Sequence, residues 1–165
     1  MITATRFHDI SAGHRVVGHE GKCALLHGHS YRVHFTVEPF TKYSDKTKPL
    51  DGTEHGLDQV GRVLDFSVIN SRLCMWLEEH WDHHMLLWVE DPLCKVISKY
   101  PSAGVVLVPF NPTAENMAIH LVETIGPPQL KGTGCNLCSV TIEETRKCSV
   151  TYTKGDANAV RQLVE

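Results

Sequence analysis

The sequence predicts an α+β fold built on a mostly antiparallel sheet. Three observations carry this expectation. Two β-rich runs, "TRFHDISAGHRV" and "HGHSYRVHFTVEPF", open the chain; two stretches of helical spacing occupy its middle; and two further β-rich runs close it around a short polar turn. In chain order this gives β-β-α-β-α-β-β.

In the first run His8, Ile10, Ala12 and His14 share a face by alternation. A glycine-containing loop, Val17 to Lys22, leads into the second run. Residues 39–60 are polar, hold Pro and Gly and show no period, which predicts an extended loop or hairpin. After Asp65 the chain turns helical. Val68, Leu73, Trp76 and Leu77 recur at about helical spacing, with Ser67 as a candidate cap. "WDHHMLLWVEDP" follows, then a less regular stretch to Pro101, and "GVVLVPF" reads as a short buried strand. "NPTAENMAIHLVETIGPP" is a second helix, with Thr113 at its cap or first turn and Gly-Pro-Pro at its stop. "CNLCSVTIEET" and "CSVTYTKG" form a hairpin around "RK".

With 165 residues, 42% hydrophobic and 21% charged, the chain matches one ordinary globular domain spanning 1–165. A net charge of −3 and no basic run exclude a general affinity for nucleic acid or anionic membranes. The apolar runs are too short to span a bilayer, and "MITATRFHDI" lacks the apolar core of a secretory signal. A cytoplasmic location is therefore expected, with the six cysteines reduced.

The unusual count is histidine, at 11. In "KCALLHGHSY" His27 and His29 are two apart, so on a strand their side chains leave the same face. His14 ends the preceding strand and meets them if the two strands pair antiparallel. Three imidazoles with a vacant position describe catalytic zinc, whereas structural zinc is closed by four protein ligands. Spacing alone leaves two surface histidines as an equal alternative. Cys23 has three readings on the residues alone: a small buried residue, a fourth ligand, or a thiol facing the open coordination position. Glu144 shares a face with Val140 and Ile142, so it either faces a pocket or lies past the sheet edge. Glu143 points the opposite way, toward solvent. His84 reads as a packing residue, and Cys135-x2-Cys138 as strand packing, since no second such pair exists.

"HDISAGHRV", "CALLHGHSY", "GRVLDF", "WDHHML", "NPTAEN" and "VTIEET", in this order, resemble the 6-pyruvoyltetrahydropterin synthase / 6-carboxytetrahydropterin synthase (QueD) family from about His8 to Thr145. The resemblance implies the tunnelling fold, with two main helices packed on one face of the sheet. It also implies assembly into an oligomeric barrel, commonly a homohexamer made as a dimer of trimers, with active sites between subunits. It implies one Zn²⁺ per subunit held by His14, His27 and His29. Cys23 is implied as the catalytic base, in a proton relay with Asp82 and His83. Glu144 is implied to anchor the amino-pyrimidine edge of a pterin triphosphate, with Thr113 and Glu115 of the "PTAEN" segment beside the same pocket. The three-residue gap in Cys-x3-His-Gly-His resembles the carboxy branch more than the pyruvoyl branch. The chain departs from the pattern at His8 and Ile10, where aromatic residues are frequent, at Gly13, where alanine is usual, and in the extension at residues 39–60.

The residue types suit this chemistry. A thiolate of depressed pKa can take a carbon-bound proton. An aspartate beside a histidine orients the ring and favours its cation. A carboxylate can accept two parallel hydrogen bonds from a 2-amino-pyrimidinone edge.

Overall fold

The computed structural model describes residues 2–40, 56–97, 99–100 and 103–155. The extension expected at residues 39–60 falls largely on residues 41–55, outside the described residues.

Six strands form one sheet: β1 (Ala4–His14), β2 (His27–Pro39), β3 (Met85–Trp88), β4 (Val105–Val108), β5 (Cys135–Thr145) and β6 (Cys148–Thr153), in the order β4-β3-β1-β2-β5-β6. The four long strands pair antiparallel, as the sequence predicts. The sheet as a whole is mixed, because β3 runs parallel to β1 and β4 parallel to β3. Strand β3 is absent from the sequence reading. It is four residues long, and Leu86 and Leu87 are both fully buried, so no alternation marks it.

Two long helical runs cover one face. The first, α1, spans residues 66–80 as Phe66–Ile69, a π-helical turn Asn70–Cys74, and Met75–His80. Its cap is Asp65, whose carboxylate accepts from the Ser67 amide at 2.8 Å, in place of the expected Ser67. A carboxylate at the position before the first turn reaches the free amides, whereas a hydroxyl already inside the turn does not lie ahead of them. The second, α2, spans residues 114–129 as Ala114–His120, a π turn Leu121–Ile125, and Gly126–Gln129. Thr113 caps it, accepting from the Asn116 amide at 3.2 Å. The expected stop at Gly-Pro-Pro is passed: both prolines sit just beyond the π turn, in the first positions of the last helical segment, where a missing N–H costs least.

Ile10, Tyr31, Val33, Phe35, Val140 and Ile142 on the inner sheet face meet Ile69, Leu73, Leu77, Met117, Leu121 and Val122 of the helices, all buried. The other face is polar. Arg32 bonds Asp9 through two nitrogens, His34 bonds Glu143 at 2.6 Å, and Thr141 bonds Thr151. Glu143, expected in solvent, is thus paired across the strand. No helix among the described residues is long and apolar enough to cross a membrane.

Candidate active site

The β1/β2 register sets His14 opposite His27 and Ala12 opposite His29. Because His14, His27 and His29 point to one face, their ring nitrogens gather within 4.8 Å of one another. Backbone carbonyls fix two of the rings. His14 Nδ1 donates to the Pro112 carbonyl at 2.6 Å, and His27 Nδ1 donates to the Leu25 carbonyl at 2.8 Å. In the neutral rings both Nε2 atoms are then bare lone pairs, and they face each other at 3.1 Å. The His29 Nε2 is buried with no hydrogen-bond partner. Two opposed lone pairs beside a third, unsatisfied one repel unless a cation lies among them. Ligand nitrogens of a tetrahedral zinc stand about 3.3 Å apart, so the donor set fits that ion. Burial holds both His14 and His29 below the ordinary imidazole range, which keeps the ligand form at neutral pH.

The Glu144 carboxylate stands 3.5 Å from His14 Nε2 and 3.6 Å from His29 Nε2. A register shift explains its aim. Glu143 pairs with Ser149 and Thr145 with Cys148, leaving Glu144 as the extra residue of a bulge. Beneath the cluster lies Tyr31, its ring 5.3 Å from that of His29, with its hydroxyl buried. Burial, then the nearby Glu144 charge, drives this phenol far above its usual pKa, so it stays neutral.

A cavity of about 390 Å³ opens beside these groups, and His14, Cys23, Thr113, Glu115 and Glu144 all line it. Cys23 sits half-buried in a single 3₁₀ turn, Lys22–Ala24, and is a free thiol. The turn is tied down, since the Val16 amide donates to the Cys23 carbonyl at 2.8 Å. The apolar wall comes from Val16, Ala114, Ile142 and Val150.

Asp82 and His83 are placed elsewhere. His83 lines a separate depression with Ser11, Gly28 and His84, and this depression reaches the cluster only through His29. Burial opposes the charge on Asp82, but the Ser11 amide and the His83 ring bonded to it bring its carboxyl below the ordinary range. The His83 side chain is 82% exposed, and its backbone takes φ 57°, a left-handed conformation that non-glycine residues seldom hold. The residues expected to form one relay thus occupy two cavities of a single chain.

Sequence reasoning missed Asn111, Pro112 and Leu25, because two act through backbone carbonyls that residue type does not reveal. Asn111 clamps the loop before Cys23: its amide accepts from the Val17 N–H at 2.9 Å and donates to the Val17 carbonyl at 2.8 Å. "Asn-Pro-Thr" therefore performs three tasks in succession, holding that loop, orienting His14 and capping α2.

A family model described as 6-pyruvoyl tetrahydropterin synthase matches residues 3–155. The chain belongs to this family. Among curated relatives in the 6-pyruvoyl tetrahydropterin synthase family, the 6-carboxy-5,6,7,8-tetrahydropterin synthase of Rickettsia typhi is 34% identical over 151 residues, covering 91% of this chain and 99% of that protein. The Rickettsia felis protein of the same name is 32% identical with the same coverage. In fold, the chain is similar to an uncharacterized protein from Wolinella succinogenes, with a TM-score of 0.74 at 22% identity, over 93% of this chain and 98% of that one. It is also similar to the Caenorhabditis elegans 6-pyruvoyl tetrahydropterin synthase, with a TM-score of 0.59 at 22% identity, over 93% and 96% of the two chains. The curled sheet with two main helices is the fold of this enzyme family.

Proposed function

We propose that the protein is a zinc-dependent 6-carboxy-5,6,7,8-tetrahydropterin synthase, a carbon–carbon lyase working as a single cytoplasmic domain. Its substrates are 7,8-dihydroneopterin triphosphate and one water, its co-products are acetaldehyde and triphosphate, and its pathway leads to the 7-deazaguanine of queuosine. The observation that carries this is the trio of imidazoles with bare Nε2 atoms beside a cavity holding a thiol and a carboxylate. The carboxy branch is favoured by the relatives named above and by the three-residue gap between Cys23 and His27.

His14, His27 and His29 would hold the metal. When bound, zinc supplies Lewis acidity toward the oxygens of the substrate side chain. Cys23 takes the carbon-bound proton, as its place on the cavity wall near the cluster allows. Glu144 accepts the paired N–H groups of the pterin edge, while Thr113 and Glu115 border the ring. Asp82 orients His83, which returns a proton to the oxygen that gains charge. Because His83 opens into a different cavity of its own chain, a neighbouring subunit provides this pair, in a homohexamer.

Incubation of purified protein with 7,8-dihydroneopterin triphosphate, followed by product analysis, tests the reading. Acetaldehyde and 6-carboxytetrahydropterin are expected. Accumulation of the 6-pyruvoyl product without acetaldehyde would establish the alternative, a 6-pyruvoyltetrahydropterin synthase, the activity that gives the family its description. Pterin binding without any product would leave a non-catalytic scaffold.

A further inference from the structure

His19 lines the same cavity as Cys23 and Glu144, on the loop between β1 and the Cys23 turn. Its ring is held in one tautomer. The Gly21 amide donates to His19 Nδ1 at 2.8 Å, so that nitrogen is an acceptor and the ring proton resides on Nε2. The loop itself is built, not merely exposed: His19 N–H donates to the Val16 carbonyl at 3.3 Å, and Asn111 fixes Val17 on both sides. Gly21 leaves room for the ring, since a Cβ there would lie 3.2 Å from His19 Cε1 and 3.4 Å from Nδ1.

Exposure orders the cavity from floor to mouth. His14 is buried, Cys23 and Glu144 are half-buried, and His19 is exposed. The apolar walls suit a bicyclic ring inside, and the charged end of a ligand must stay near water. No lysine or arginine is among the described residues lining this cavity, and Glu115 and Glu144 are acidic. At the mouth this wall offers an anionic tail the His19 N–H, beside the exposed Ser149 hydroxyl.

We propose that His19 is a further substrate-binding residue, donating its Nε2–H to the phosphate-bearing side chain of the pterin substrate. This rests on the pterin triphosphate reading above. The test compares binding of 7,8-dihydroneopterin triphosphate and of 7,8-dihydroneopterin by titration calorimetry in a zinc-loaded Cys23→Ala background, too slow in turnover to deplete the ligand, alone and combined with His19→Ala, His19→Gln or Gly21→Ala. A lost hydrogen bond to an anion weakens the triphosphate by roughly tenfold in His19→Ala, with the unphosphorylated ligand changed by less than about twofold. His19→Gln, whose amide nitrogen reaches the same place, recovers to within about threefold. Gly21→Ala, which displaces the ring without removing it, falls between. Equal weakening of both ligands, or none, overturns the proposal. Binding of both ligands by wild type without turnover refutes the synthase reading and leaves this comparison decisive. Failure of wild type to bind the triphosphate overturns both.

Discussion

Two imidazoles of the cluster perform one task per nitrogen: on His14 and His27, Nδ1 is spent on a backbone carbonyl and Nε2 is free to meet a cation. Cys23 shares the cavity but not that geometry. The two residue types should therefore separate experimentally. Cys23→Ala is expected to lose roughly 10²–10⁴-fold in turnover while keeping about one zinc per chain. His27→Ala is expected to lose zinc affinity by more than about 100-fold. Metal analysis after dialysis checks both, and zinc lost from Cys23→Ala would make the thiol a ligand instead. Burial also sets a pH response. His14, His29 and His120 are each held below the ordinary imidazole value by burial. In the unfolded chain they return to about 6.5, so below that pH the unfolded state binds more protons than the folded one. The stability of the metal-free protein thus falls from about pH 7.5 to about pH 5.5, before ordinary carboxylates titrate. Its urea midpoint should drop over that interval; a flat or rising midpoint would contradict the burial argument.

Among the elements, α2 lies tight against the sheet at Gly126. A Cβ there would lie 2.8 Å from Leu137 Cβ and 3.0 Å from its Cδ2. In an open helix, glycine to alanine stabilises by about 1 kcal/mol. Here the overpacking term, about 1–3 kcal/mol, exceeds it, because Leu137 is buried in β5 and its Cβ cannot swing away. Gly126→Ala is therefore expected to lower the melting temperature, and a rise would show that the helix can lift off the sheet. The long elements were legible in the sequence because each buries one face and so prints its period: alternation in β1 and β5, helical spacing in α1 and α2. Strand β3 was not, since burial on both sides erases alternation. The continuation past Gly-Pro-Pro was not, since it depends on a π turn that no residue type signals. At the site, side-chain chemistry was legible in His14, His27, His29 and Cys23. The Pro112 and Leu25 carbonyls that set the rings were hidden, because every residue carries one. At Gly13 a Cβ would meet the flexible end of the Met85 side chain, so an alanine there requires that this side chain shift.

For the whole molecule, the proposed mechanism turns on how Cys23 and the Asp82–His83 pair would come to act on one substrate. In one chain Cys23 and His83 line different cavities, with His29 the residue common to the cluster and the second depression. His83 holds a left-handed backbone while its ring, bonded to Asp82, stays 82% exposed, as expected of a group presented to a neighbour. If each site takes Cys23 from one chain and His83 from the next, inactive variants should complement. Mixing Cys23→Ala and His83→Ala chains in equal amounts, with dissociation and reassembly, gives each site an independent draw of its two donors. One half of the sites receive an intact Cys23, and one half of those an intact His83, so activity should recover to about a quarter of wild type. Were both residues supplied by the same chain, no mixed oligomer could contain an intact site, and the mixture would stay as inactive as its parents. Mixing without reassembly is the control, because chains that do not exchange cannot complement.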